Sequence, residues 1–475
     1  MSDVATFDRK RTGVSDPVLD EFRARVRGAV LGPSDPAHAE VREVFNAMHP
    51  SVPAVTVRCS GTADVVAAVD FAREHGLELA VRGGGHSIAG LSSIKGGVLL
   101  DLALMRGVQV DPERRLAVVQ GGALWGDVDR ETQAFGLVAP GGVVSDTGVG
   151  GLTLGGGYGW VRRKYGLSVD ALVEAQVVCA DGQVRTASAV SHPDLFWAIR
   201  GGGGNFGVVT SFTFALQPLG PIVGFSATFY PLEEIDDVLR NWRAYVEQAP
   251  DAVTSVVVAT TFPADPHLPE AVHDRPVVIV GGVYVGDAEE GLQVMAPLRR
   301  LGTPLFDMSG PTPFTVVQSG FDGLFTRNTL RAYWKSQYLD ELSDAAIDVV
   351  ADLARNRPAP LTLVNVFHMG GAIAAAGPEE TAFSERLAPF MVSIDGMWSD
   401  PTDDEDGIAW VRSAWEAVRP YGNGAVYLNF TGLAGEAPSA GVDSAFGRNL
   451  ERLAHVKATY DPNNVFHLNN NIQPA

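Results

Sequence analysis

Cysteine is scarce: the 475 residues hold two, Cys59 and Cys179. That is too few for a disulfide framework in a chain this long, and both sit in apolar, strand-like surroundings that favour reduced core thiols. Basic charge is short as well, with 36 Lys and Arg against 56 Asp and Glu and a formal net charge of −20. A phosphate-rich polymer is repelled overall and no basic run offers a local exception, so nucleic acid is not an expected partner. No uninterrupted apolar stretch approaches ~18 residues, so no membrane association is expected. The opening Met1-Ser2-Asp3-Val4-Ala5-Thr6-Phe7-Asp8 lacks the basic-then-apolar layout of a secretion signal, and a cytoplasmic location is the expectation. Metal patterns are missing too: no two of the ten histidines stand at i, i+4, and neither cysteine has a sequence-near partner.

What the chain has in abundance is glycine, 53 residues, within a 46% hydrophobic composition long enough for two or more folding units. From Pro53 the pattern reads as a strand (Val55 to Arg58), a helix start at Ser60-Gly61-Thr62, and a helix burying Val65, Val66, Val69 and Ala72 that stops at Gly76. A second strand, Leu77 to Val81, completes a β-α-β unit. Short strands follow near Val98 to Asp101 and Leu116 to Gln120, then a helix from about Leu124 to Phe135. Glycine then dominates at Gly141-Gly142, Gly148, Gly150-Gly151, Gly155-Gly156-Gly157, Gly159 and Gly201 to Gly204. Such density makes poor helix or strand and suits backbone wrapped closely around something.

The character of the pattern changes at Gln217-Pro218-Leu219-Gly220-Pro221. Beyond it, alternation at Val223, Phe225, Ala227 and Phe229 and strand candidates at Ser255 to Thr261, Val277 to Val285, Leu361 to Phe367 and Ala425 to Phe430 mix with amphipathic helices. One helix aligns Ile235, Val238, Leu239, Trp242 and Val246, and another aligns Ile408, Val411, Trp415 and Val418. An antiparallel sheet backed by helices fits, giving an α+β fold with a second domain here.

The densest signal is Arg82-Gly83-Gly84-Gly85-His86-Ser87, directly after a buried-strand pattern. Three glycines let backbone amides converge on an anion such as a pyrophosphate, and the next residue sets an imidazole at the rim. A nicotinamide dinucleotide fingerprint requires Gly-x-Gly-x-x-Gly opening a helix, whereas Ser87-Ile88-Ala89-Gly90-Leu91 runs into Ser92-Ser93, which is loop chemistry. A serine nucleophile elbow requires Gly-x-Ser-x-Gly, and Gly85-His86-Ser87-Ile88-Ala89-Gly90 is one residue too long.

This loop, together with Asp146-Thr147-Gly148-Val149-Gly150-Gly151-Leu152-Thr153-Leu154-Gly155-Gly156-Gly157-Tyr158-Gly159-Trp160, Tyr333-Trp334-Lys335-Ser336 and Tyr460-Asp461-Pro462-Asn463-Asn464-Val465-Phe466, resembles the berberine-bridge-enzyme-like FAD-linked oxidases of the vanillyl-alcohol oxidase / p-cresol methylhydroxylase superfamily. The resemblance is collinear from about residue 50 onward. It implies a two-part FAD-binding domain of the vanillyl-alcohol oxidase type, residues 1–218 and 431–475, enclosing a substrate domain over 219–430. It also implies FAD bonded covalently to His86. Many relatives add a cysteinyl link four residues before the Gly-Val-Gly-Gly stretch; that position is Val144, so a single link is expected. Flavin contacts are implied for Arg82, Gly83, Gly84, Gly85, Ser87, Val144, Asp146, Thr147, Gly148, Val149, Gly151, Gly156, Gly157 and Val209, and for Asn469 and Asn471 flanking Asn470. Valine at 149 accompanies oxygen as acceptor.

Oxidation of a C–H beside O–H or N–H sends hydride to flavin N5 while a base takes the heteroatom proton. The resemblance sets Tyr158 against the ring and Tyr427 reaching it from the substrate sheet, as the catalytic pair. Ionising a tyrosine at pH 7 costs roughly 4 kcal/mol, and a cation within ~4–6 Å offsets ~1–3 pKa units of that. Arg163, Lys164 and Lys335 are the candidate cations. The expected reaction is oxidation of an alcohol or amine of a small organic, secondary-metabolite-like molecule, with O2 as acceptor and H2O2 as product. A carbohydrate oxidase, a flavin-dependent dehydrogenase and a non-catalytic flavin carrier are the alternatives. Ile88 stands where sugar-oxidising relatives often carry an aromatic residue, which weakens the first of these. No feature of the sequence sets the oligomeric state.

Overall fold

The computed structural model describes residues 16–38, 41, 43–49, 51–264, 268–433, 436 and 442–475. The opening residues 1–8, read above for a secretion signal, lie outside them. Three sheets of four or more strands organise these residues, with a two-stranded ladder of Leu137–Val138 and Gln217–Pro218 beside them. The first holds Ala29–Leu31, Val55–Arg58, Val98–Asp101 and Leu79–Arg82 in that spatial order. Its last three strands run parallel, because the helix Thr62–Glu74 carries the chain back across the sheet. That helix buries Val65, Val69 and Ala72, and ends where Gly76 takes φ +60°.

The second sheet is antiparallel, in the order Val108–Asp111, Leu116–Gln120, Val208–Ala215, Leu172–Val178, Val184–Ser188. The C-terminal helix Leu450–Tyr460 returns to this half of the molecule, where Leu453, Val456 and Tyr460 share a core with Phe196, Trp197 and Phe206.

The third sheet is the largest, eight antiparallel strands with Ile222–Pro231, Pro276–Tyr284, Val253–Thr261, Leu363–His368, Phe390–Trp398 and Arg331–Leu339 in spatial sequence. Side chains alternate across it as the pleat requires. Along Arg331–Leu339, Tyr333 and Leu339 join the core under the helices Ile235–Val246, Asp344–Arg355 and Asp404–Val418. Ala332, Trp334 and Tyr338 join the opposite cluster, which also contains Tyr158, Phe367 and Tyr427. One face is therefore sealed by helices and the other becomes the wall of the site.

The structure departs from the sequence-based expectation at three places. Ala425 to Phe430 is not a strand; it hooks over Arg331–Leu339, with the Tyr427 amide donating to Ser336 Oγ at 2.9 Å, and closes in a 3-10 turn over Leu428–Phe430. The strands Arg331–Leu339 and Phe390–Trp398 carry no clean alternation, because polar Lys335, Ser336, Gln337, Ser393 and Asp395 are buried within them. The glycine-rich run forms a short helix, Val149–Leu154, rather than loop throughout.

Candidate active site

A cavity of about 320 Å³ opens between the glycine loops and the bare face of the large sheet. Its floor follows from the β-α-β unit: the strand Leu79–Arg82 ends and delivers residues 83–87 to the rim. Gly84 crosses Gly148 in direct backbone contact. A Cβ on Gly84 would lie 2.3 Å from the Gly148 Cα, and one on Gly148 would lie 2.4 Å from the Gly84 nitrogen. Gly85 adopts φ +70°, which a side chain disfavours. Glycine at these positions is thus demanded first by chain meeting chain, and the cradle is the result.

His86 is half-buried at the rim, its ring stacked on Phe45 at 4.2 Å with 9° between planes. Burial, reinforced by the nearby Arg327 guanidinium, pulls its pKa down to about 3, so the imidazole is neutral. Its Nε2 is buried with no hydrogen-bond partner among the described residues, as is Oδ1 of Asn469, which also lines the cavity. Buried polar atoms without partners are costly, about 1–3 kcal/mol each, unless a bound molecule satisfies them. A large group with both apolar and hydrogen-bonding edges fits this donor set, as FAD would.

Of the other residues expected at the cofactor, Gly83, Ser87, Val144, Thr147, Gly151, Val209 and Asn469 also line the cavity, together with Asn470. Six do not. Arg82 lies in the core, where its guanidinium grips both oxygens of buried Asp101 at 3.1 and 2.7 Å. Asp146 pairs with Arg327 at 2.7 Å. Val149 is fully buried among Ala123, Trp125 and neighbours. Gly156 and Gly157 take φ +118° and +79° to turn the chain past Phe383 and Ser168. Asn471 lies behind Asn470 in sequence, outside the lining. These positions shape the cradle rather than line it.

The two tyrosines do meet: Tyr158 and Tyr427 have ring centroids 4.9 Å apart. Tyr427 comes from the hooked segment, not from a sheet strand. Its phenol oxygen accepts from the Gly157 amide at 3.2 Å and from Asn429 Nδ2 at 2.8 Å. The cation beside the pair is none of the three expected. Arg162 stands 5.7 Å from the Tyr158 ring centroid. Arg163 points to the carbonyls of Val253 and Met369, Lys164 is exposed, and Lys335 lies on the helix-covered face against Trp415 and Glu436. Burial outweighs Arg162's attraction. The Tyr158 pKa lies well above its ordinary value, and that of Tyr427 is pushed up to about 12 even with its two donors. The expectation of an ionised tyrosine is therefore not met: both phenols are protonated at neutral pH.

A different acid is poised there. Asp395 sits on the cavity wall, 4% exposed, on the strand Phe390–Trp398. Desolvation pushes its carboxyl up to about 7, against hydrogen bonds from Ser393 Oγ and from Asn365 Nδ2 at 2.7 Å. A group half-ionised at neutral pH is suited to taking a proton. Sequence reasoning missed it: nothing in Ser393-Ile394-Asp395-Gly396 separates this carboxyl from the chain's other acids.

The fold and this site define a flavin-dependent oxidoreductase. Residues 53–188 match the family model of an FAD binding domain, and residues 426–473 match the berberine and berberine-like model. An uncharacterized FAD-linked oxidoreductase of Bacillus subtilis, YgaK, is 30% identical over 458 residues, covering 95% of this chain and 98% of that protein. The (R)-6-hydroxynicotine oxidase of Paenarthrobacter nicotinovorans is 32% identical over 289 residues, 59% of this chain and 60% of the relative. The crystal structure of 6-hydroxy-D-nicotine oxidase from Arthrobacter nicotinovorans superposes with a TM-score of 0.84 at 26% identity, covering 95% and 98% of the two chains. The chain belongs to the berberine-bridge-enzyme-like FAD-linked oxidoreductases.

Proposed function

We propose that this protein is an oxidase that holds FAD through one covalent bond, at His86, and oxidises a C–H next to O–H or N–H in a small organic molecule, with O2 as acceptor and H2O2 as product. The observation that carries the reading is the neutral His86 imidazole, with its Nε2 buried and unpartnered, on the same cavity as Asp395, Tyr158 and Tyr427. An imidazole can bond to an electrophilic ring methyl only while unprotonated, and burial keeps it so. Val144 lines the cavity, and at the position for which the family resemblance implies a cysteinyl link it offers no sulfur.

Bound flavin supplies the two-electron acceptor for hydride. The chain's own residues handle the proton and the orientation. Asp395 takes the heteroatom proton, with Asn365 and Ser393 holding its carboxylate in place. Tyr427 keeps its oxygen occupied by two donors, which leaves its own O–H to meet the substrate heteroatom. Arg162 is fixed by the carbonyls of His368, Gly159 and Ser255 at 2.9, 2.9 and 3.0 Å and steadies the Tyr158 ring.

The test has two readouts. Acid-precipitated protein retains yellow colour in the pellet, and His86→Ala releases all flavin to the supernatant. Anaerobic photoreduction followed by air gives re-oxidation within seconds and one equivalent of peroxide. A colourless wild-type pellet overturns the tether, and slow re-oxidation without peroxide overturns the oxidase.

A further inference from the structure

The turn that carries His86 is held from outside the glycine loops, by residues 44–47 and by the segment that leads into the strand Arg331–Leu339 of the large sheet. Phe45 is fully buried and lies flat on the imidazole, and its amide donates to the Gly85 carbonyl at 2.9 Å. Asn46, also fully buried, gives its Nδ2 to the carbonyls of Ile88 and Ala332, both at 2.7 Å, while its Oδ1 accepts from the Ala332 amide at 2.9 Å. One side chain thus joins the loop after His86 to the large sheet. Two backbone bonds extend the seam: the Asn328 amide donates to the Phe45 carbonyl at 3.0 Å, and the Ala47 amide to the Leu330 carbonyl at 2.9 Å.

The same incoming segment grips the second glycine loop. Asp322 accepts from the Ser145 amide at 3.0 Å and from Ser145 Oγ at 2.5 Å. Arg327 pairs through Nε with Asp146 Oδ2 at 2.7 Å and donates Nη2 to the Asp146 carbonyl at 3.1 Å. Its Nη1 lies 3.2 Å from where a Cβ on Gly85 would stand. The guanidinium therefore bridges the Asp146 loop and the turn before His86. A fixed cation there disfavours imidazolium, and it adds to burial in lowering the His86 pKa.

Resting on the reading of His86 as the flavin tether, we infer that Phe45 and Arg327 are positioning residues for the attachment itself. Phe45 fixes the plane of the imidazole and Arg327 fixes the turn that presents it, so the bond forms on a chain whose large sheet is already docked against the glycine loops. The step balances: an imidazole nitrogen bonds to the ring methyl carbon of FAD, one methyl C–H and the imidazole N–H break, and both protons leave to water. The C–H electron pair enters the flavin, and O2 takes those two electrons with two protons as H2O2. An imidazole free to turn about its side-chain bonds aims its lone pair only part of the time, and lost aim of this kind costs about 10- to 100-fold in rate.

Full-length wild type, Phe45→Leu, Arg327→Met and Arg327→Lys, made in riboflavin-limited cells, are given FAD in air. Flavin retained in acid-precipitated protein is followed over time, and FAD affinity is measured separately by quenching of flavin fluorescence. Phe45→Leu and Arg327→Met bind FAD within about threefold of wild type but attach it at least about tenfold more slowly, and Arg327→Lys, which keeps the charge, attaches faster than Arg327→Met. Attachment at the wild-type rate in either of the first two overturns the inference. So does a fall that FAD affinity shares in full, which marks a general loosening of the site. Should Phe45→Leu fail to accumulate, the two Arg327 variants decide alone. A wild type that never retains flavin in the pellet removes the tether and this inference with it, whereas a wild type that attaches while the variants keep pace removes this inference only.

Discussion

At the residue scale, the site's behaviour turns on where a proton rests. The Asp395 carboxyl, pushed up to about 7 by desolvation, is the active base only when ionised. The kcat/KM of the wild type therefore rises with pH to a plateau above about 7, and Asp395→Asn loses that limb with a fall of about 10²- to 10⁴-fold. Stability carries the opposite sign. The folded carboxyl binds its proton more tightly than the unfolded one, whose value is 3.8, so its contribution is full below about 4 and is lost as pH rises through about 7. Half-buried His86 and buried His368, lowered to about 3 and 2 chiefly by desolvation, add stability as pH rises over that range. They are common to both proteins and cancel in a comparison. Urea midpoints of wild type minus Asp395→Asn should therefore decline from pH 4 to pH 7 and level above it; a flat difference would show that the carboxyl is not so shifted. His86 was legible because three glycines isolate it. Asp395 was not, because what distinguishes it is a desolvating wall assembled from strands far apart in sequence.

At the element scale, the C-terminal segment is held by a buried knot. Lys457 Nζ donates to Asp461 at 2.6 Å, to the Asn205 carbonyl at 2.7 Å and to the Phe466 carbonyl at 2.9 Å. Asp461 in turn accepts from the Val465 and Phe466 amides at 2.7 and 2.8 Å. This explains physically why Tyr460-Asp461-Pro462 leads to the asparagines: the knot turns the chain so that Asn469 and Asn470 reach the cavity. Lys457→Met strands an unpaired buried carboxylate and should cost about 3–5 kcal/mol. It should lower the thermal midpoint and leave freshly made protein with less flavin than wild type, as absorbance per chain measures. Strands and helices of regular period were legible here, such as Val55–Arg58 and Ile235–Val246. Arg331–Leu339 was not, because buried Lys335 and Gln337 are satisfied by partners on distant segments, Glu436 and Ala425, and polar residues with remote partners look like surface in a linear reading.

At the scale of the whole molecule, the cavity is the place where separately built layers fail to fill the space between them. Glycine loops of the N-terminal half, the bare face of the large sheet and the C-terminal asparagines all end there, and each leaves buried polar atoms for a ligand to satisfy. A molecule assembled around such a void gains stability from whatever fills it, by an amount that depends on free ligand only if the ligand can leave. On the proposed tether through His86, flavin is a fixed part of the fold, so the wild-type thermal midpoint should be independent of added FAD. His86→Ala keeps the cradle and loses the bond. Its midpoint should lie below that of the wild type and climb with added FAD, by the equivalent of about 2.7 kcal/mol when FAD reaches 100 times its dissociation constant. A midpoint in His86→Ala that ignores FAD would mean that the cavity does not hold the cofactor, whereas a wild type that responds to FAD would mean that the imidazole does not bind it covalently.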